Sequence, residues 1–124
     1  MSFDWSEYLN LAQELAGQAV GLSCQEAKSR SAISRAYYAA YCKARNHLRS
    51  EGHAIPRGGQ AHIYVRNQFK NSPYKVRKGV GAHLNRLRKD RNQADYDDTV
   101  TRLSAKTKKA LRLAKVVISK LSSL

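Results

Sequence analysis

Apolar residues recur every three or four positions along most of the chain, and this spacing constrains the fold more than any other feature of the sequence. Trp5, Leu9, Ala12 and Ala16 form the first stripe, and the last one covers residues 100–121. A helix repeats every 3.6 residues or so, which places each stripe on one face. No segment alternates apolar and polar residues for long enough to predict a strand. The sequence therefore predicts an all-α fold.

Capping residues, glycines and prolines divide this pattern into segments. Asp4 with Glu7 has the spacing of a capping box, and so has Ser23 with Glu26. Gly52 is typical of a helix end, and the loop sequence HAIPRGG follows it. The helices are predicted to cover approximately residues 4–20, 23–50, 60–69, 74–96 and 100–124.

The last two helices carry the most specific expectations. Gly79 and Gly81 are predicted to interrupt the fourth helix, because glycine weakens a helix interior. The acids at 97 and 98, with Thr99, are predicted to form a break that caps the last helix, whose N-terminal dipole favours acids. The whole chain, 1–124, is predicted to be one up-and-down bundle of four main helices and one short helix. The side chains expected on the buried side of the fourth helix are Val76, Val80, Leu84, Leu87 and Ala94.

The charge is strongly positive and unevenly distributed. Twenty-three Lys and Arg stand against nine Asp and Glu, giving a net charge of +14. Residues 43–91 carry thirteen bases and two acids, interleaved with Tyr64, Phe69 and Tyr74. Such an excess favours a polyanionic partner, with nucleic acid as the first candidate and an anionic membrane surface as the second. The aromatics either stack on bases or belong to the core.

Several other classes of protein are disfavoured. Cys24 and Cys42 are 18 positions apart and fit neither a metal site nor a disulfide framework. The four histidines offer no pair at metal-ligand spacing, and GVGAHL lacks the lysine of a phosphate-binding loop. No metal or cofactor is therefore expected. The beginning, MSFDWSEYLN, is acidic and aromatic rather than typical of a signal peptide, so a cytoplasmic protein without membrane contact is expected.

The stretch SRAYYAAYCKARNHL, residues 34–48, concentrates tyrosines on one predicted helix. Tyr37 and Tyr41 share one face, and Tyr38 shares another with Ser34. Two interpretations follow from this spacing. The tyrosines form a core seam whose hydroxyls find partners, or some of the hydroxyls face a polar cleft together with Arg35.

The stretch RNQADYDD, residues 91–98, ends the fourth predicted helix. Arg91 follows Leu87 by four positions and Leu84 by seven, so it continues the buried stripe. We therefore expect Arg91 to point into a cleft between helices, with Asp95 or a hydroxyl of Tyr37, Tyr38 or Tyr41 as its partner. The alternative is an exposed pair of Arg91 with Asp95 along the helix, which contributes about 0.3–0.5 kcal/mol.

Three stretches, SRAYYAAYCKAR, HIYVRNQF and RNQADYDD, together resemble the HEPN superfamily, in particular its small stand-alone bacterial and archaeal members. The resemblance covers residues 4–120. It implies a symmetric homodimer with a basic cleft between protomers, and a toxin-like role beside a minimal nucleotidyltransferase. It also implies metal-independent endoribonuclease activity, for which the family uses an Arg followed four to six residues later by a His. In this chain Tyr96 stands five positions after Arg91.

The resemblance assigns expected roles to individual residues. In RNA cleavage Arg91 would stabilise the scissile phosphate and Asn92 would orient it. Asp95, Tyr96 or His62 would transfer protons, and Tyr96 is also the candidate acceptor for adenylyl transfer by the partner. The bases expected to contact nucleic acid are Arg35, Arg45, Arg86, Arg88 and Lys89, and the other residues expected in the cleft are Ser34, Tyr37, Tyr38 and Tyr41.

Two alternatives stay open at the level of sequence. Arg57 with His62, and Arg77 with His83, also satisfy the bare spacing of the nuclease motif. The chain could also be a non-catalytic module that uses the same cleft to bind a nucleotide or a partner protein.

Overall fold

The computed structural model describes residues 2–18 and 24–124, and every regular element within them is an α-helix. The all-α bundle predicted from the apolar spacing is therefore confirmed. The expected end of the first helix near residue 20 and the capping residue Ser23 lie outside the described residues. The helices are α1 (Ser6–Gln18), α2 (Gln25–Ser50), α3 (Gln60–Lys70), α4 (Lys75–Tyr96) and α5 (Leu103–Ser122).

Helix α2 is the centre of the bundle and packs against each of the other four helices. Its buried face consists largely of alanine, and small side chains allow neighbouring helices to approach closely. Tyr37 and Ile33 lie on the same helix and are almost completely buried. The core is completed from the other helices by Leu9, Val65, Phe69, Val80, Leu87 and Val117.

Asp4 begins α1 and also ties it to α2. Its Oδ1 accepts a hydrogen bond from the backbone N–H of Ser6 at 3.0 Å and lies 3.0 Å from Nζ of Lys43. The predicted capping function of Asp4 is thus present, although its side chain bonds Ser6 and not Glu7. Phe3, Trp5 and Tyr8 stack edge to face beside it. This N-terminal aromatic cluster lies next to the middle of α2.

The predicted interruption of α4 at its two glycines is wrong, because α4 is continuous from Lys75 to Tyr96. Gly81 has a different function. A Cβ atom at this position would lie 2.4 Å from the backbone nitrogen of Lys70. The glycine therefore lets the end of α3 lie directly against the backbone of α4. Val76 was expected to be buried and is 41% exposed, because the first turn of α4 lies at the edge of the bundle beside the exposed Tyr74.

The segment between α4 and α5 also differs from expectation. Helix α5 begins after Arg102, which adopts a left-handed conformation with φ 55° and gives no side-chain cap, so the predicted capping by residues 97–99 is wrong. The backbone carbonyls of Asp97 and Asp98 instead accept hydrogen bonds from the guanidinium of Arg30, at 2.5 and 3.1 Å, and the carbonyl of Ala94 accepts a third at 3.1 Å. Arg30 thus holds the end of α4 against α2.

Candidate functional site

A cleft of about 720 Å³ opens between the beginning of α1, the middle of α2, the loop before α3 and the end of α4. Five arginines line it, against one carboxylate, so its electrostatic potential is strongly positive. Aromatic rings form much of the remaining wall. The lining residues are Trp5, Tyr8, Ser34, Arg35, Tyr38, Tyr41, Cys42, Arg45, Arg49, Ile55, Pro56, Arg57, Gly58, Ala61, His62, Arg91 and Asp95.

Three of these arginines lie on aromatic rings. A ring face attracts a guanidinium through its quadrupole, yet it carries no charge that would neutralise the cation. The guanidinium is therefore oriented while its positive charge stays available to a ligand. The distances from the guanidinium carbon to the ring centre are 4.9 Å for Arg35 and Tyr8, 5.4 Å for Arg35 and Tyr38, 5.5 Å for Arg45 and Trp5, 6.0 Å for Arg45 and Tyr41, and 5.1 Å for Arg91 and Tyr38.

Arg91 lines the cleft with a side chain that is 16% exposed. Its Nε lies 2.7 Å from Oδ2 of Asp95, and its Nη1 donates to Oδ1 of Asn92 at 3.1 Å. The buried Nε–H is not directed at the carboxylate and makes no hydrogen bond within the described residues. Arg91 is therefore paired with Asp95 by charge, and its one hydrogen bond within the described residues is the bond to Asn92.

Asp95 is the one acid of the cleft, and two neighbours engage it. Ser34 of α2 is buried and donates from its hydroxyl to Oδ2 of Asp95 at 3.2 Å. The same oxygen forms the ion pair with Arg91. Asp95 thus connects the end of α4 to α2 and positions Arg91, rather than presenting a free carboxylate to a ligand.

His62 on α3 forms the opposite wall of the cleft. Its ring stacks on Tyr41 with centres 4.2 Å apart, and its Nδ1 lies 2.5 Å from the hydroxyl of Tyr37. Burial first, and then the charges of Arg88, Arg91 and Arg45, lower the pKa of His62 to about 4. The ring is therefore neutral at pH 7. Burial also raises the pKa of Tyr37 well above its ordinary value, so that hydroxyl keeps its proton.

The remaining candidate residues lie outside the cleft. Tyr96 is 72% exposed, and Asn92 and Lys89 are exposed as well. The exposed Arg86 pairs with the buried carboxylate of Asp90 at 3.3 Å on α4. The structure thus brings together eight of the candidates and leaves the others apart. Those in the cleft are Ser34, Arg35, Tyr38, Tyr41, Arg45, His62, Arg91 and Asp95, and those outside are Tyr37, Arg86, Arg88, Lys89, Asn92 and Tyr96.

Sequence reasoning missed the contribution of α1 and of the loop. Trp5 and Tyr8 support two of the cleft arginines, but nothing in their spacing shows which helix they face. Arg57 was considered only as one end of an Arg–His spacing, and it does share the cleft with His62. The other such spacing lies elsewhere, because Arg77 pairs with Glu51 at 2.8 Å away from the cleft.

The described residues show no site for a metal ion. Residues 2–18 and 24–124 contain no group of three His, Cys, Asp or Glu that could hold one. Cys42 is buried in the wall of the cleft, where burial raises the pKa of its thiol, and Cys24 is exposed. In the same part of the chain, no helix combines the length and apolarity that crossing a membrane requires.

Comparison of the chain with protein-family models found no match, and neither did comparison with curated proteins or with solved structures. Inference of function therefore depends on the chemistry of the cleft.

Proposed function

We propose that the cleft binds single-stranded RNA, with phosphates on its arginines and a base against its aromatic rings. One observation carries the proposal. Arg35 and Arg45 lie on rings, and within the described residues neither forms an ion pair with a carboxylate, so their charges stay available to a ligand. Phosphate groups are the ligands that such guanidinium groups bind best, since two N–H groups fit two phosphate oxygens.

The aromatic wall favours a single strand over a duplex. The bases of an RNA duplex are stacked on each other, whereas those of a single strand can lie against side-chain rings. Stacking of one base on a ring contributes about 1–3 kcal/mol and depends little on its identity. Tyr38 and Tyr41 line the cleft beside His62, so rings and charges are close enough for one nucleotide to use both.

Binding without cleavage is the function that the geometry supports best. The HEPN resemblance implies cleavage, which requires a group that removes the proton of the attacking hydroxyl. Asp95 is engaged by Ser34 and Arg91, and Tyr96 lies outside the cleft. The homodimer, the nucleotidyltransferase partner and modification of Tyr96 stay predictions, and the exposed hydroxyl of Tyr96 makes the last of these testable by incubation with such a partner.

Two double variants with the same net charge test the proposal. R35Q/R45Q removes two cleft arginines, and R77Q/R112Q removes two arginines outside the cleft, one paired with Glu51 and one exposed on α5. We expect the first to bind a labelled single-stranded RNA at least about tenfold more weakly, with a log–log salt slope lower by about 1.4. The second should bind nearly as well as the wild type. Fluorescence anisotropy at several salt concentrations measures both quantities.

An equal loss of affinity in both variants would show that net charge alone drives binding and would overturn the proposal. The binding reactions contain EDTA, and the same samples are run on a denaturing gel. If the wild type shortens the RNA and Arg91→Ala does not, the function of the cleft is metal-independent cleavage and not binding alone.

A further inference from the structure

Tyr37 and His62 form a hydrogen-bonded pair that connects the core to the cleft. Tyr37 lies on α2 and is 2% exposed, and its hydroxyl oxygen is 2.5 Å from Nδ1 of His62. The imidazole is fixed on its other side by the stacked ring of Tyr41, at 4.2 Å and an interplanar angle of 12°. His62 lines the cleft, whereas Tyr37 does not. The buried hydroxyl of Tyr37 therefore fixes the position of the His62 ring, which a ligand in the cleft can contact.

The positions of the protons in this pair follow from one requirement, which is that the buried hydroxyl of Tyr37 has an acceptor for its proton. Within the described residues, Nδ1 of His62 is the one hydrogen-bond partner of the Tyr37 hydroxyl. If Nδ1 carried a proton and donated it, the phenolic proton of Tyr37 would be buried without an acceptor, which is unfavourable. If Tyr37 donates to an unprotonated Nδ1, both groups are satisfied. A neutral imidazole then carries its proton on Nε2.

We infer that Tyr37 fixes His62 in the Nε2–H form, so that His62 donates a hydrogen bond to a phosphate oxygen of the bound RNA and does not act as a proton acceptor. The ligand in this inference rests on the proposed function. The cations around the ring, Arg45 on α2 with Arg88 and Arg91 on α4, favour an anionic oxygen as the acceptor. Tyr37 is a positioning residue, because it acts on the ligand through His62.

A neutral donor suits a site that holds RNA without cleaving it. With the proton on Nε2 and Nδ1 occupied by Tyr37, His62 has no free lone pair with which to deprotonate a ribose hydroxyl. Its low pKa, caused chiefly by burial, keeps this form dominant at pH 7. The same features that remove His62 as a general base thus make it a directional contact.

The tautomer can be measured without any ligand. In the full chain with ¹⁵N-labelled histidine, long-range ¹H–¹⁵N correlation spectra at pH 7 distinguish a ring protonated on Nε2 from one protonated on Nδ1. We expect a single Nε2–H form for His62 in the wild type and a mixture of both forms in Tyr37→Phe. An Nδ1–H form in the wild type, or no change in Tyr37→Phe, would overturn the assignment whether or not RNA binds.

RNA affinity tests the contact itself. His62→Leu, which has no donor, should bind single-stranded RNA about tenfold more weakly, and His62→Gln, whose amide N–H takes the place of Nε2–H, should recover part of that loss. Tyr37→Phe should bind several-fold more weakly. The chain provides a matched control in Tyr64→Phe, which removes the same atom from a second Tyr–His pair, with Tyr64 2.9 Å from His53 outside the cleft.

The outcomes separate the contact from the proposed function. Equal affinities of His62→Leu and wild type, or equal losses for the Leu and Gln variants, would overturn the contact while leaving RNA binding intact. Absence of RNA binding by the wild type would overturn the proposed function and the contact together, and the spectra would still decide the tautomer. An equal effect of Tyr37→Phe and Tyr64→Phe would show that Tyr37 has no specific role.

Discussion

Two arginines of the cleft, Arg35 and Arg45, have different partners from two arginines outside it, Arg30 and Arg77. Arg35 and Arg45 lie on aromatic rings and form no ion pair within the described residues. Arg77 lies over the ring of Phe69 but is also bonded to the carboxylate of Glu51, and Arg30 is bonded to backbone carbonyls and to Glu26. A carboxylate satisfies both the charge and the N–H groups of an arginine, while a ring fixes only its orientation. Net charge therefore says little about binding, because the partner of each arginine decides whether it can receive a phosphate.

The largest expected effect is on the free energy of unfolding. It concerns Arg30, whose partners within the protein give it a structural role. Its guanidinium donates to the carbonyls of Ala94, Asp97 and Asp98 and pairs with Glu26 at 3.0 Å. Arg30→Met removes all of these charge-assisted bonds, and we expect the free energy of unfolding to fall by about 3 kcal/mol. The folded fraction should bind RNA like the wild type.

Urea denaturation measures the stability of Arg30→Met, and fluorescence anisotropy measures its affinity for RNA. A loss of RNA affinity as large as that of R35Q/R45Q, with little change in stability, would break the comparison between the two sets of arginines.

The second-largest expected effect is a dependence of the free energy of unfolding on pH, which is caused by His62. The folded pKa of His62 is about 4, below its ordinary value of 6.5, so the unfolded chain binds the proton more tightly. The full contribution to stability is present above pH 6.5 and is lost progressively as the pH falls to 4. We expect this loss to be about 2 kcal/mol, after allowance for partial exposure of the ring.

Denaturation of wild type and His62→Gln at several pH values isolates the contribution of this histidine. NMR titration of His62 in two arginine variants tests the influence of individual arginines on its pKa. Arg91→Gln should raise the pKa of His62, because the charge of Arg91 acts on that ring, whereas Arg112→Gln, on the exposed face of α5, should not. Equal shifts of the His62 pKa in both variants would show that Arg91 acts on this ring no differently from a distant cation.

The smallest expected effect is on RNA affinity and follows from removal of the Tyr38 ring, which lies under two arginines. Tyr38 lies under Arg35 at 5.4 Å and under Arg91 at 5.1 Å. Tyr38→Leu keeps an apolar side chain but removes the ring, and each contact of this kind contributes about 0.5–1 kcal/mol. We expect the affinity for RNA to fall about threefold to tenfold, with anisotropy as the measurement. Tyr74→Leu is the control, since Tyr74 is 70% exposed and lies away from the cleft.

Local patterns in the sequence predicted the helices and the direction of Arg91. Leu84 and Leu87 fix which side of α4 is buried, and Arg91 follows at the spacing that keeps it on that side. The two interpretations of the tyrosines were both partly right. Tyr37 and Tyr41 belong to the core, and Tyr38 and Tyr41 line the cleft.

Contacts between distant segments could not be predicted. The pair of Glu26 with Arg30 is visible at i, i+4, yet the bonds from Arg30 to carbonyls more than sixty residues away depend on how α2 packs on α4. Apolar spacing gives the buried face of α1 but not its neighbour, so the placement of Trp5 and Tyr8 under cleft arginines was missed. Periodicity describes one helix at a time, whereas a cleft is a property of several.

Gly81 has a consequence for how the molecule tolerates mutation. Any side chain there would meet the backbone of Lys70, at the end of the helix that carries His62. Substitutions at 81 should therefore displace α3 and disturb the cleft, although Gly81 is not among the residues that line it. In a saturation screen scored by RNA binding, position 81 would be as intolerant as the arginines of the cleft. A functional map based on intolerance to mutation alone would thus extend the site to the contact between α4 and the end of α3. Screening the same library for resistance to proteolysis would distinguish positions that bind RNA from positions that maintain the fold.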